Sequence, residues 1–227
     1  MHFPYDVPPA DVAALARREG LTLLGINTHP GHMERGDRGL GAVPGREQEF
    51  HAAVDQSIDY CRVSGAAAIH AMAGNVPAED HARARALFVE NLRTAAGRAA
   101  AHNLTVLLEP LNPRDNPGYF YSTLAQAAAV IEELGLPNVR LQFDVYHVAI
   151  GEGDVLNKLE RYMPIIGNVQ IAGVPSRAEP DEGEIAYRAV FAKLSDLGYA
   201  GWVGCEYRPR ADTDAGLRWM LPLRDAT

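Results

Sequence analysis

Four side chains of metal-ligand type close four successive apolar runs: Glu109 after TVLL, Asp144 after LQF, Gln170 after GNV and Glu206 after WVGC. Three carboxylates gathered in an apolar surrounding repel one another and lose their hydration unless a cation or protons compensate them. A hard divalent cation meets that need. An all-oxygen set of Glu, Asp, Gln amide and Glu suits Mg²⁺ or Mn²⁺, with Co²⁺ and Zn²⁺ left open. A cation chelated by two adjacent oxygens of a hydroxy-carbonyl compound polarises the carbonyl and acidifies the neighbouring C–H, and it stabilises the enediolate left when that proton departs. Glu109 and Glu206, from well-separated runs, are then candidates for proton donor and acceptor as well as ligands. The plainer alternative, that each residue caps a strand or pairs with an arginine, is sound for any one of them and weak for all four together.

The elements that must position these residues follow from hydrophobic spacing. Strand candidates are 21–27, 66–71, 104–109, 139–144, 165–171 and 201–206, and helical candidates lie near 10–19, 46–64, 79–102, 123–135, 153–162, 184–197 and 213–221. In the third helix Phe88, Leu92, Ala95 and Ala99 recur at three and four positions, while Arg85, Arg93 and Arg98 take other faces. Strand and helix in regular alternation imply a parallel sheet, because parallel neighbours need a crossover long enough for a helix. A doubly wound nucleotide binder usually carries a glycine-rich turn after its first strand, and neither GxGxxG nor GxxxxGK[ST] occurs here. Ligand-type residues at four strand ends instead favour a (β/α)8 barrel, whose active site sits at the C-terminal rim. Side chains alternate faces along a strand, so Gln142 should share a face with Asp144, Asn168 with Gln170 and Gly204 with Glu206. Six full strands are counted where the barrel needs eight, with HFPYD at 2–6 read as the tail of another. The reading therefore expects a barrel lacking its first strand, first helix and most of its second strand. With no linker, low-complexity segment or tandem repeat, residues 1–227 read as one domain.

Composition narrows the partners. The formal net charge is −8 with no Lys/Arg-rich run, which opposes nucleic acid, since phosphate backbones are bound through accumulated positive charge. The segment MHFPYDVPPADV has neither a basic nor an apolar leader region, and no stretch approaches the roughly 20 apolar residues that cross a bilayer, so a membrane is not expected. Cys61 and Cys205 lack CxxC or CxxH spacing, which points away from a disulfide framework or zinc finger and toward reduced, cytoplasmic thiols. The expected partner is a small hydroxy-carbonyl substrate; a homo-oligomer stays open.

At these residues the chain resembles the hydroxypyruvate isomerase family, within the larger group of xylose-isomerase-like barrels. The matching phrases are HFPYD, VPGREQEF at 43–50, VENLRTAA at 89–96, LLEPLN at 107–112, QFDVYH at 142–147, GNVQIA at 167–172, CEYRP at 205–209 and AGLRWM at 215–220, spread over essentially the whole chain. The resemblance implies that Glu109, Asp144, Gln170 and Glu206 are metal ligands and that Glu109 and Glu206 also move the proton. By similarity to the related ketose epimerases it adds Asp115, six residues after the first Glu, and His147, three after the Asp, as substrate contacts, and Arg177 after the Gln strand as the partner of a substrate carboxylate. The chain departs from the family pattern at Asn168, usually His, and at Gly173, usually Asp. The implied reaction is isomerisation of hydroxypyruvate to tartronate semialdehyde, or of 2-oxo-tetronate. Epimerisation of a neutral ketose, a non-catalytic binding role and a metal-dependent endonuclease are the alternatives, the last opposed by the few rim histidines and the acidic charge.

Of the remaining residues, His70 ends a strand candidate and is a pocket-lining, substrate-binding candidate. His29 and His32 lie in the long loop 28–45 with Arg35, Asp37 and Arg38, a segment long enough to act as a lid. Cys205, Trp202 and Trp219 are expected to serve packing.

Overall fold

Each connection between strands carries a helix, and every strand pairing described is parallel. The computed structural model describes residues 3–220, and the chain forms two compact units, Met1–Leu141 and Gln142–Thr227.

The first unit holds β1 (Gly25–Asn27), β2 (Ala68–His70), β3 (Thr105–Leu108) and the first half of β4 (Val139–Asp144). Its helices are α1 (Pro9–Arg18), α2 (Glu47–Ser64), α3 (His81–Ala100) and α4 (Leu124–Leu134). The register sets Asn27, His70, Leu107 and Arg140 in one row across the four strands. Phe88, Leu92, Ala95 and Ala99 of α3 are buried as their spacing requires, and they share the core with Phe50 of α2, Ile69 of β2 and Leu108 of β3. Truncating a fully buried phenylalanine such as Phe88 to Ala would cost about 3–5 kcal/mol. Helix α4 opens on a reciprocal cap. Thr123 Oγ1 accepts from Gln126 N–H, and Gln126 Oε1 accepts from Thr123 N–H, an arrangement that satisfies two otherwise orphaned amide donors.

The second unit holds the end of β4, α5 (Val145–Gly151), α6 (Val155–Tyr162), β5 (Ile166–Ile171), α7 (Tyr187–Asp196), β6 (Val203–Cys205) and α8 (Thr213–Gly216). Strands β5 and β6 pair in the register Val169↔Val203, Gln170↔Gly204 and Ile171↔Cys205. The ladder continues one step further, through Glu206 N–H to Ile171 O at 3.0 Å.

Several expectations need correction. HFPYD is not a strand tail: Pro4–Asp6 form a 3-10 turn, because Pro4 fixes the backbone angle and has no N–H to offer a ladder. Strand β1 is shorter than 21–27: Leu21 is 66% exposed and its N–H donates to Ala16 O, back toward α1. Helix α5 was not anticipated, because VYHVAI is rich in β-branched and aromatic residues and reads as strand; Asp144 caps it. Trp202 is 63% exposed, Trp219 is half-buried with its indole N–H on Tyr207 Oη, and Cys205 is exposed, so these are not core anchors. Among the described residues β6 pairs only with β5. No helix among the described residues is long and apolar enough to cross a membrane.

Candidate active site

The first unit contributes Glu109, the residue directly after β3, which is buried at 4% exposure. Its Oε2 lies 3.4 Å from Nδ1 of His70, the last residue of β2, and both side chains are almost inaccessible to water. Two tyrosines from the run GYFY also face this carboxylate. The rings of Tyr119 and Tyr121 sit 5.6 Å apart, and Tyr119 Oη accepts from Ala73 N–H at 2.9 Å. Burial pushes both phenols well above their usual range, and the Glu109 charge pushes in the same direction. Both therefore remain protonated donors, and nothing in the spacing of the sequence singled them out. Asp115 lies on an exposed turn. Its amide donates to Asn112 Oδ1 at 3.0 Å, and its carboxylate accepts from Asn112 Nδ2 at 3.2 Å and Arg114 Nε at 3.3 Å.

The second unit is built around Asp144, at the end of β4 and 2% exposed. One oxygen is structural: Oδ1 accepts from Tyr146 N–H at 2.8 Å and caps α5. The other oxygen faces charge. Oδ2 lies 3.8 Å from His147 Nε2 and 3.7 Å from a guanidinium nitrogen of Arg177. That same nitrogen is 3.1 Å from Oε2 of Glu206, the residue directly after β6. Arg177 also stacks over the Tyr146 ring, 4.9 Å from its centroid, a contact that favours a guanidinium over an ammonium. Burial, followed by the Glu206 charge, raises the Asp144 carboxyl to about 7, against the lowering effect of Arg177 and of backbone N–H groups.

The unit thus gathers two carboxylates, an imidazole and a guanidinium at the ends of β4 and β6 and in the loop after β5. Gln170, on β5, points a buried Oε1 that accepts no hydrogen bond among the described residues, and Asp144 Oδ2 likewise accepts none. Gly204 stands opposite Gln170 in the register, and a Cβ there would make only ordinary contact with Gln170 Cγ, at 3.4 Å. Of the two departures from the family pattern, Asn168 donates to Gln142 Oε1 at 3.4 Å. Gly173 lies where a Cβ would meet Glu179 O at 2.6 Å, so the chain's path excludes any side chain there. Of the lid candidates, His32 N–H donates to Asp37 Oδ2, while Leu40 and Ala42 are buried and bonded through their amides to Met72 and Ala73. Exposed residues of this loop lie mainly at 32–36.

Comparison with known proteins gives this arrangement its context. The family description "xylose isomerase-like TIM barrel" matches residues 1–223. The 2-oxo-tetronate isomerase of Cupriavidus necator is 49% identical over 97% of this chain and 85% of its own length. The hydroxypyruvate isomerase of Escherichia coli is 38% identical over 98% of this chain and 86% of its own length. Among solved structures, one from Brucella melitensis described as an AP endonuclease, family 2, superposes with a TM-score of 0.94 at 42% identity, covering 97% of this chain and 85% of that one. The 3-keto-D-glucoside 4-epimerase of E. coli, at 24% identity and a TM-score of 0.81 over 96% of this chain and 84% of that one, shares the fold.

Proposed function

Because this chain belongs to the xylose isomerase-like TIM barrel family and is an isomerase of the hydroxypyruvate isomerase group, we propose that it isomerises a small 2-keto acid, hydroxypyruvate to tartronate semialdehyde or the corresponding step on 2-oxo-tetronate. The observation that carries this reading is the Arg177 guanidinium set against Glu206 and the buried Asp144, a cation and two carboxylates where a negatively charged, proton-exchanging substrate would be handled.

The donor set fits a divalent cation. Asp144 Oδ2 and Gln170 Oε1 are buried oxygens without a hydrogen bond among the described residues, and a buried polar atom left in that state is costly unless something else satisfies it. Glu109, Asp144, Gln170 and Glu206 would hold the ion, Mg²⁺ or Mn²⁺ by their oxygen chemistry. When bound, such an ion would polarise the carbonyl of a hydroxy-carbonyl compound and make the adjacent C–H more acidic.

The chain's own residues do the rest. Glu109 and Glu206 are the proton acceptor and donor: the C3–H bond breaks, a C2–H bond forms, the C3 hydroxyl becomes the new carbonyl and the C2 carbonyl becomes the new hydroxyl. Atoms and charge are unchanged overall. His70, held against Glu109, and His147, held against Asp144, fix those carboxylates and reach substrate oxygens. Arg177 takes the substrate carboxylate in a charge-assisted pair, and Asp115 would contact a substrate hydroxyl.

The test is proton NMR in D₂O of three- and four-carbon 2-keto acids and ketoses with Mg²⁺ or Mn²⁺, which reads turnover and solvent exchange together. Glu109→Gln and Glu206→Gln should each lower the rate by at least about a hundredfold, with metal content measured beside each rate. Near-full activity of either variant would refute the two-carboxylate mechanism, and turnover confined to neutral ketoses would select epimerisation.

A further inference from the structure

The loop after β5 holds a carboxylate that the proposed chemistry does not use. The Glu179 side chain is 1% exposed, and its partners come from the segment after β6. Arg210 N–H lies 3.1 Å and 3.2 Å from its two oxygens, and Arg210 Nε lies 2.9 Å from Oε2. The remaining guanidinium nitrogens of Arg210 reach Asp181 and Glu182 of the same loop, each at 2.6 Å. Burial alone would raise the Glu179 carboxyl, but the backbone N–H groups and the Arg210 charge outweigh it and hold it below the ordinary range. A buried carboxylate satisfied in this way is costly to disturb from either side.

The pair sits beside the proposed substrate-binding arginine. Arg177, two residues before Glu179, has φ +58°, a left-handed conformation uncommon for a residue with a side chain. It is held there at both ends: Arg177 N–H donates to Gly173 O at 2.7 Å, and Arg177 O accepts from Arg208 N–H at 2.8 Å. The second of these bonds belongs to the same segment as Arg210. From these contacts we infer that Glu179 and Arg210 form a positioning pair, which clamps the loop carrying Arg177 onto the exit of β6 and so sets the Arg177 guanidinium against Glu206. Neither residue touches the reacting atoms; they act through Arg177. The close fit extends to α8, where a Cβ on Gly216 would lie 2.5 Å from Glu179 Oε1.

The inference rests on the reading of Arg177 as the substrate-carboxylate group, and two readouts separate the failure of one from the failure of the other. The first is the split between kcat and KM for hydroxypyruvate and a neutral ketose in Glu179→Gln, Arg210→Lys and Gly216→Ala. The second is amide hydrogen exchange at Arg177, Arg208 and Arg210, compared with Val169 and Ile171 of β5. Glu179→Gln should raise KM for the keto acid about tenfold or more, leave the neutral ketose nearly unaffected and speed exchange at the three arginine amides while β5 stays protected. Arg210→Lys, which keeps a charge, should lose less, and Gly216→Ala should reproduce the Gln variant from the opposite side of the carboxylate. Unchanged exchange at Arg177 and Arg208 in Glu179→Gln would overturn the clamp. Equal acceleration in β5 would also overturn it, by reducing the pair to general stability. Should the wild-type protein turn over no keto acid, the exchange measurement still decides whether the pair holds the loop.

Discussion

The charge of Arg177 is engaged before any substrate arrives, since its guanidinium lies 3.1 Å from Glu206 and 3.7 Å from Asp144. A substrate carboxylate must therefore share or displace these partners, and a planar fork with several donors can do so where an ammonium cannot. Arg177→Ala is expected to reduce kcat/KM for hydroxypyruvate by roughly 2–4 kcal/mol and Arg177→Lys by less, with a matched neutral ketose far less sensitive; steady-state kinetics with both substrates reads this, and equal losses would remove the carboxylate role. Asp144 carries a separate, pH-dependent consequence. Its folded carboxyl, raised to about 7 from an ordinary 3.8, keeps its proton where the unfolded chain has already released it. The stability this group contributes is complete below the unfolded value and is lost as pH rises to the folded one. In metal-free protein the thermal midpoint of wild type should therefore fall relative to Asp144→Asn between about pH 4 and pH 7, and parallel curves for the two proteins would contradict the raised value.

At the scale of elements, the loop after β5 depends on two glycines for different reasons. Gly183 has φ +108°, and a Cβ there would lie 2.0 Å from Val174 O; Gly173 would bring a Cβ 2.6 Å from Glu179 O. The first needs a left-handed backbone as well as space, the second needs space alone. Gly183→Ala should open the loop and lower kcat/KM for the keto acid at least about tenfold, since positioning errors near an active site are amplified in rate. Limited proteolysis should then cut within 173–184 while the first unit resists; an uncut loop with full activity would refute this. The element pattern itself was legible where period and length agreed, as in 139–144, which is β4 to the residue. It failed at α5, because β-branched residues favour strands locally while the Asp144 cap and burial of Val145, Tyr146, His147 and Val148 make a helix.

At the scale of the whole molecule, a resident cation would link folding to metal. An ion bound by the folded chain and not by the unfolded one stabilises by about 2.7 kcal/mol at a hundred times its dissociation constant. Mn²⁺ or Mg²⁺ should accordingly raise the thermal midpoint, EDTA should reverse the rise, and Glu206→Gln should blunt it. An unchanged midpoint across a titration confirmed by calorimetry would count against a structural contribution from metal.

The sequence by itself determined the alternation of strands and helices, because the hydrophobic period is written locally, and it placed a ligand-type side chain at or within one residue of the end of each of strands β3 to β6. It singled out Glu109, Asp144, Gln170 and Glu206 as candidates through that regularity alone. Only the tertiary structure decided what surrounds them. The His70 contact with Glu109, the two tyrosines behind it, the double duty of Asp144 as helix cap and charged group, and the Glu179–Arg210 pair all join residues distant in sequence, and distance along the chain leaves no local signature. Trp202 and Cys205 show the converse, since hydrophobic character suggests burial but only the set of neighbouring elements decides whether anything covers the side chain.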